Sequence, residues 1–352
     1  MSWIYKLERL AVNNYRNRFY KSTLKDKQVL PPTFILWDCT RRCNLNCEHC
    51  GASKEKYFEE LSKKEILTVI DDLAKVKTRM FTVTGGEPFM RRDLLEILEY
   101  ANKKRIKTGI ASNGYLIDRE LAKKIKQAKV YSMQISIDGL EKTHNKIRKN
   151  SKSFTNAVNA IQNLQNINLP VLQVATTITK SNFNELTQIF ELLKKLKVKM
   201  WRLGIIMPIG RAVDKNLLLN KKELNELLNF VKHNNHKGIS IHIAENLPFL
   251  NNYEEELRQE PVLCPVGITT CCIGVTGTVR GCPEQPDTPE YHEGNVKKTS
   301  IIDIWQKGFK KYRLKTILSE DKRCLTCKNK NKCLGGCWVM RENNTQCIHD
   351  LI

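Results

Sequence analysis

Thirteen cysteines fall into two groups, four between residues 39 and 50 and nine between 264 and 347, with none in the two hundred or so positions separating them. The first group holds the run Cys43-Asn-Leu-Asn-Cys47-Glu-His-Cys50, a C-x3-C-x2-C triplet preceded by Cys39, with no fourth cysteine at ligand spacing after it. A cubic 4Fe-4S cluster takes four ligands, so three thiolates on one short loop hold the cube and leave one iron open to a small molecule. A structural zinc site wants four tetrahedral ligands in two pairs, and here it would have to recruit His49 from between two cysteines.

The rest of the composition sets the class. With 352 residues and 41% hydrophobic content, the chain can bury a large core and fits one large domain with a smaller one. No run reaches the eighteen or so apolar residues of a membrane span, and residues 1 to 32 do not read as a signal peptide, so a cytoplasmic protein with no membrane partner is expected. Thirteen thiols in a reducing compartment argue for metal ligation over disulfides. The formal charge of +22 admits a polyanion partner, but lysines such as Lys194, Lys195 and Lys197 are spread over helical stretches without aromatic interleaving. Solvated helix faces explain the charge better than nucleic acid, and an acidic peptide substrate drawn in by the field stays open.

From Thr33 a regular alternation begins. Strands are expected at 34–37, 80–83, 106–111, 132–137, 171–178 and 200–206, and helices at 62–74, 92–104, 117–128, 153–166, 183–196 and 221–235. Six strand-helix units imply a parallel sheet with right-handed crossovers, too few for a closed eight-fold barrel and suited to a partial (β/α)6 barrel. The expected organisation is a basic helical segment over 1–32, the partial barrel over 33–240, and a linker with a cysteine-rich domain over 241–352. Chemically suggestive residues recur where the strands end, the position at which such folds bind ligands. The cysteine loop follows the first strand, Gly85-Gly86-Glu87-Pro88 the second, Ser112-Asn113-Gly114 the third, and Asp138-Gly139 the fourth.

The second cysteine group reads Cys264-x12-Gly277-x4-Cys282, then Cys324-x2-Cys327-x5-Cys333-x3-Cys337, then Cys347. Two zinc sites fit some of these spacings but do not explain the triplet or the barrel. Triplet, Gly-Gly-Glu-Pro stretch and seven-cysteine extension together resemble the radical S-adenosylmethionine (SAM) enzymes with a C-terminal SPASM domain, of the type that modifies peptides and proteins. The match runs from Thr33 to Cys347 and includes Trp201-Arg202-Leu203 leading to Gly210-Arg211-Ala212.

That resemblance implies a set of roles. SAM would chelate the open iron of the cluster on Cys43, Cys47 and Cys50 and, on reduction, yield a 5'-deoxyadenosyl radical. Gly85, Gly86, Glu87 and Pro88 would receive the methionine amino group. Ser136, Asp138 and Arg148 would meet the cofactor carboxylate or ribose, an arginine fork suiting a carboxylate, and Asn113 would reach the ribose. Cys264, Cys282 and Cys337 would hold a first auxiliary 4Fe-4S cluster with either Cys271 or Cys272. Adjacent strand residues point to opposite faces, so one of the two should serve. Cys324, Cys327, Cys333 and Cys347 would hold a second, making three clusters in all. Cys39, if it faced the barrel interior, would be a candidate hydrogen donor; otherwise it is a small buried residue.

Three functions follow as expectations. The first is a maturase that abstracts hydrogen from a ribosomally made peptide or protein and forms a cross-link, thioether or other oxidation. It would draw electrons from a flavodoxin- or ferredoxin-type donor. The second is a radical epimerase or tailoring enzyme for a tetrapyrrole or sugar, and the third a zinc-dependent nucleic-acid binder. Two departures bear on the first. Sulfatase-maturing relatives place aspartate directly after the cysteine where this chain has Cys282-Pro283-Glu284. The residues before Thr33 are too few for a leader-binding winged helix, so any leader is expected to bind elsewhere on the chain or through a separate leader-binding protein.

Overall fold

The computed structural model describes residues 29–51, 59–213, 215–247, 249–258, 264–313, 322–333 and 335–342. The helical segment expected over 1–32 lies, as far as residue 28, outside the described residues, and so does Cys347.

Local sequence builds the units much as periodicity predicts. The first helix, α1 (Lys63–Lys75), starts at a capping box in which Ser62 and Glu65 satisfy each other's backbone N–H groups. It buries Ile66, Val69, Ile70 and Leu73, the i, i+3, i+4, i+7 stripe of one helix face. The strands are β1 (Phe34–Asp38), β2 (Met80–Thr84), β3 (Lys107–Ser112), β4 (Ser132–Ser136), β5 (Val171–Ile178) and β6 (Met200–Ile205). Helices α2 (Leu94–Lys103), α3 (Arg119–Gln127), α4 (Glu141–Arg148), α5 (Ser153–Asn166), α6 (Leu186–Lys195) and α7 (Lys221–Asn234) complete the repeats.

Two elements depart from expectation. Helix α4 is absent from the alternation because it buries only His144, Ile147 and Arg148, a stripe too polar to show in hydrophobicity. A seventh parallel strand, β7 (Ser240–Ile243), pairs with β6 and carries the sheet across the domain boundary expected at residue 240.

The six repeats form an open, partial barrel. With β8 (Thr270–Ile273), β9 (Thr278–Arg280) and β10 (Gly294–Asn295) added, its sheet runs β10-β9-β8-β1-β2-β3-β4-β5-β6-β7, parallel from β8 to β7. Strands β8, β9 and β10 come from the cysteine-rich region, so the C-terminal unit is built onto the edge of the barrel sheet along β1.

The two faces of this sheet differ. Outward-facing Ile35, Trp37, Phe81, Val83, Ile110, Ile135, Val174 and Trp201 are essentially without solvent exposure and form the core with the helices. Their inward neighbours Leu36, Thr82, Ala111, Gln134, Ala175, Thr177 and Gly204 remain half-buried. Parallel sheets ordinarily bury both faces. An inner face left accessible is therefore space for a ligand.

Candidate active site

The cysteine loop leaves the C-terminal end of β1 and is clamped before its first ligand. Gly86 N donates to Thr40 O at 2.7 Å, Glu87 N donates to Arg42 O at 2.8 Å, and Arg91 donates to Cys39 O at 3.2 Å. A Cβ at Gly86 would lie 2.2 Å from Arg42 O, so glycine is needed there for the loop's own backbone to pass. The Gly-Gly pair thus serves the cysteine loop directly.

Glu87 is fully buried. Its carboxylate accepts from Ser112 Oγ at 2.8 Å, Asn113 N at 2.9 Å and Phe89 N at 3.3 Å, where Pro88 opens a single 3-10 turn. Burial raises its pKa to about 6 against the pull of those hydrogen bonds. Glu87 therefore ties the end of β2 to the end of β3. Asn113, placed by this corner, donates through Nδ2 to Asn44 Oδ1 at 2.9 Å and lies 4.0 Å from the Cys43 sulfur.

On the other side of the loop stands Arg148, from the last turn of α4. Its guanidinium forms an ion pair with Asp138, with Nε donating to Oδ2 at 2.7 Å, and places Nη1 3.7 Å from the Cys47 sulfur. Burial would raise the Asp138 pKa, but Arg148, His49, His144 and the Thr177 N–H outweigh it and hold the carboxyl at about 2. Ser136, two residues earlier at the end of β4, is half-buried on the inner face. Cys39 shares the outer, core-packed face with Ile35 and Trp37, and burial pushes its thiol well above the usual range. It does not face the interior, which removes the condition on which a hydrogen-donor role rested.

Sequence reading missed three parts of this site. Arg211 donates through Nε to Cys47 O at 2.7 Å, and its N–H donates to Cys50 O at 3.0 Å, holding the loop from beyond β6. Gly210 before it has φ +55, and a Cβ there would meet Gly51 O at 2.4 Å. His49 contacts Asp138 through Nε2 at 3.5 Å, and burial lowers its pKa to about 4, so it is a neutral partner of Asp138. The Gly210-Arg211-Ala212 run was the available signal for the first two. Nothing in the sequence indicated the third.

In the C-terminal unit, Cys264, Cys282 and Cys337 lie within electrostatic reach of one another. Burial first, and then Cys264, pushes the Cys337 thiol up to about 12, and Cys282 rises well above its usual range for the same two reasons. Cys271 and Cys272 sit side by side on β8 and face opposite ways. Cys271 is level with Ile35 in the hydrophobic core, near Arg313; Cys272 is level with Leu36, near Asp38 and Arg280. Cys324 and Cys333 lie on the one-turn helices α11 (Lys322–Thr326) and α12 (Lys330–Cys333), with Cys327 just after the first. The short helices α8 (Glu254–Leu257), α9 (Ile301–Lys307) and α10 (Lys310–Arg313) precede them. No disulfide joins any two of the described cysteines.

A buried charge network joins the two cysteine regions. Arg280 on β9, with no exposed side chain, pairs with Asp38 at the end of β1 and lies 3.3 Å from Asp287, to which Arg41 at 3.7 Å and His292 at 2.7 Å also turn.

The comparisons with known proteins agree with this geometry. Residues 37–193 match the radical SAM superfamily, and residues 264–329 match an iron-sulfur cluster-binding domain, SPASM. An AdoMet-dependent heme synthase of Oleidesulfovibrio alaskensis is 31% identical over 325 residues, covering 86% of this chain and 81% of that protein. The chain belongs to the radical SAM superfamily. Two further relatives of this radical SAM/SPASM enzyme are an Fe-coproporphyrin III synthase of Methanosarcina barkeri and the sporulation killing factor maturation protein SkfB of Bacillus subtilis. The first is 30% identical, covering 90% and 85% of the two chains, and the second 29%, covering 84% and 67%. The solved structure of anSMEcpe with bound AdoMet shares the fold, with a TM-score of 0.71 at 19% identity over 90% of this chain and 92% of that one.

The residues fit the iron-sulfur cluster and SAM that this membership implies. Three thiols share one loop beneath hydrogen-bond donors, with Leu45 N at 3.5 Å and Asn113 Nδ2 at 4.0 Å from Cys43 and the Arg148 cation at Cys47. Burial pushes the Cys43 and Cys47 thiols up, while the Leu45 N–H and the Arg148 cation pull them down, the sense in which they would also offset the negative charge of a bound cluster. His49 turns Nε2 to Asp138 at 3.5 Å, and it is the matches to the radical SAM superfamily and to an iron-sulfur cluster-binding domain that take the support from the zinc-dependent nucleic-acid reading. Among the described residues, no helix is long and apolar enough to cross a membrane.

Proposed function

We propose that this radical SAM/SPASM enzyme modifies a ribosomally made peptide or protein, with hydrogen abstraction as the first step and a cross-link, thioether or other oxidation as the outcome. When bound, the cluster and SAM supply a 5'-deoxyadenosyl radical. The chain's own residues do the rest. Cys43, Cys47 and Cys50 hold the cluster, while Arg148, Asn113 and the Glu87 corner fix the loop at the open side of the barrel. Gly85, Pro88, Ser136 and Asp138 line or brace the SAM side. Cys264, Cys282, Cys337 and one of Cys271 or Cys272 hold one auxiliary cluster; Cys324, Cys327, Cys333 and Cys347 hold the other, ready to accept the electron left on an oxidised substrate. A flavodoxin- or ferredoxin-type donor and a leader-binding protein complete the system.

The observation that carries this reading is the grouping of Cys264, Cys282 and Cys337 in a unit whose strand β8 pairs with β1, the strand that leads into the triplet loop, in a chain similar to the maturation protein SkfB over 84% of its length. A tetrapyrrole substrate is the second reading. It is favoured by the heme synthase and Fe-coproporphyrin III synthase relatives, which are 31% and 30% identical.

Iron and sulfide per chain, and 5'-deoxyadenosine release from SAM under a strong reductant, test the shared chemistry. About twelve irons should fall to about eight in Cys43→Ala/Cys47→Ala/Cys50→Ala, with release abolished. A peptide encoded beside the gene that loses two hydrogens in mass supports the first reading. Turnover of iron-coproporphyrin III with no change in the peptide replaces it with the second. Bound zinc and no SAM cleavage overturn both.

A further inference from the structure

The middle of the inner face of the barrel is built largely from small or uncharged residues: Thr82, Ala111, Gln134, Ala175, Thr177 and Gly204. Arg202 stands among them with a full charge. Its neighbours on β6, Trp201 and Leu203, are buried outward, with Trp201 packed against Phe190 and Phe230, so alternation turns Arg202 inward, level with Ala175 and His242. Nothing about packing explains a guanidinium at this position. Small neighbours give it room, and its side chain keeps 38% of its exposure.

Its environment locates it further. Arg202 lies in the field of Glu284, whose Oε2 is 3.0 Å from where a Cβ on Gly51 would sit. Gly51 follows the last cysteine of the triplet, and Glu284 follows Cys282 by two residues. The guanidinium is therefore on the side of the sheet shared by Gly51, at the end of the triplet loop, and Glu284, beside Cys282, and a substrate held there would lie near both cysteine regions.

Arg202 also differs from the other inward arginines in how it is held. Arg280 and Arg148 are buried in ion pairs with Asp38 and Asp138 whose side chains are at most 10% exposed. Arg202 pairs with Glu245 at 2.5 Å, and both side chains are about 40% exposed (38% and 44%). An exposed pair of this kind is weak and exchanges readily, whereas breaking a buried pair is far more costly.

We infer that Arg202 is a substrate-anchoring residue: it takes a carboxylate of the substrate in place of Glu245 and so orients the molecule between the two cysteine regions. A planar guanidinium and a carboxylate make two parallel hydrogen bonds, which fixes direction as well as position. The inference rests on the substrate classes proposed above, and the same chemistry has two sources there: a peptide C-terminus or acidic side chain, and a tetrapyrrole propionate.

The test is equilibrium binding to the anaerobically reconstituted enzyme with SAM present, using two pairs of probes. One pair is iron-coproporphyrin III and its tetramethyl ester, followed by its absorbance. The other is a fluorescent peptide taken from the neighbouring gene and its analogue with amidated carboxyl groups. In the wild type, one acid should bind about tenfold or more tighter than its neutral partner, and which one does so names the source. Arg202→Met should remove that difference by weakening the acid alone, Arg202→Lys should restore part of it without the fork, and Glu245→Gln should tighten the acid several-fold. Equal binding of the neutral analogue serves as the check that Arg202→Met is folded. If an acid and its neutral partner bind alike in the wild type, or Arg202→Met weakens both equally, the anchor is overturned and the substrate class stands. If none of the four probes binds, the substrate classes fall and the anchor falls with them.

Discussion

The triplet loop and the auxiliary cysteine segment carry the same ligand chemistry in very different settings. Residues 39–51 are held from across the barrel by Gly86, Glu87, Arg91, Asn113, Arg148 and Arg211, and Glu48 N donates to Ile147 O at 2.9 Å. Around Cys324, Cys327 and Cys333 there are short-range hydrogen bonds. Cys327 N donates to Cys324 O at 3.3 Å, Cys333 N to Asn329 O at 2.9 Å, and Asn329 N to the Cys327 sulfur at 3.4 Å. One-turn helices do not persist on their own. On the function proposed above, the first site would be shaped by the protein before metal arrives, whereas the second would depend on metal for part of its folding. That division would suit a site presenting an open iron in fixed geometry beside one that holds a closed cluster.

The largest expected effect breaks the comparison directly. Removing iron with a chelator should abolish hydrogen-exchange protection over 322–342 while Gly86 and Glu87 amides stay protected. Equal loss in both regions would mean that the triplet loop is no better organised than the other.

Next in size is the ion pair that braces the loop. Asp138→Asn leaves the Arg148 cation buried without its partner and should cost about 3–5 kcal/mol in urea unfolding, with cluster absorbance lost early in the transition. The same carboxylate gives a pH signature. Its folded pKa is depressed from 3.8 to about 2, so its contribution is full above the unfolded value and disappears as pH falls through about 2. The wild type should therefore lose stability over that window and Asp138→Asn should lose less. Parallel acid profiles would show that the pair is not coupled to folding.

The smallest effect sharpens the boundary of the site. Cys39 packs with Ile35 and Trp37 in the core, so Cys39→Ala should cost about 1 kcal/mol, the scale of one small buried group. SAM cleavage should continue at an undiminished rate. A loss of cleavage would return Cys39 to the chemistry.

Elements with strong periodicity were readable from the chain alone. The strand over 171–178 and the helix over 153–166 fall at their expected bounds because the first is rich in β-branched residues and the second carries the Ala157, Ala160, Ile161 and Leu164 stripe at helical spacing. Helix α4 was not, since its buried positions include His144 and Arg148, and β7 was not, since four residues with one histidine carry too little pattern.

The same division runs through the site. Sequence by itself determined the cysteine spacing, the Gly-Gly-Glu-Pro stretch and the six repeats, because ligand spacing within a loop and side-chain alternation within a strand are short-range properties of the covalent chain. Tertiary structure alone decided that Arg280 meets Asp38 across 242 positions, that Arg211 holds the triplet loop, and that Cys39 and Cys271 turn to the core while Cys272 and Arg202 turn inward. Those outcomes depend on strand order and register, and register fixes the face of every side chain at once.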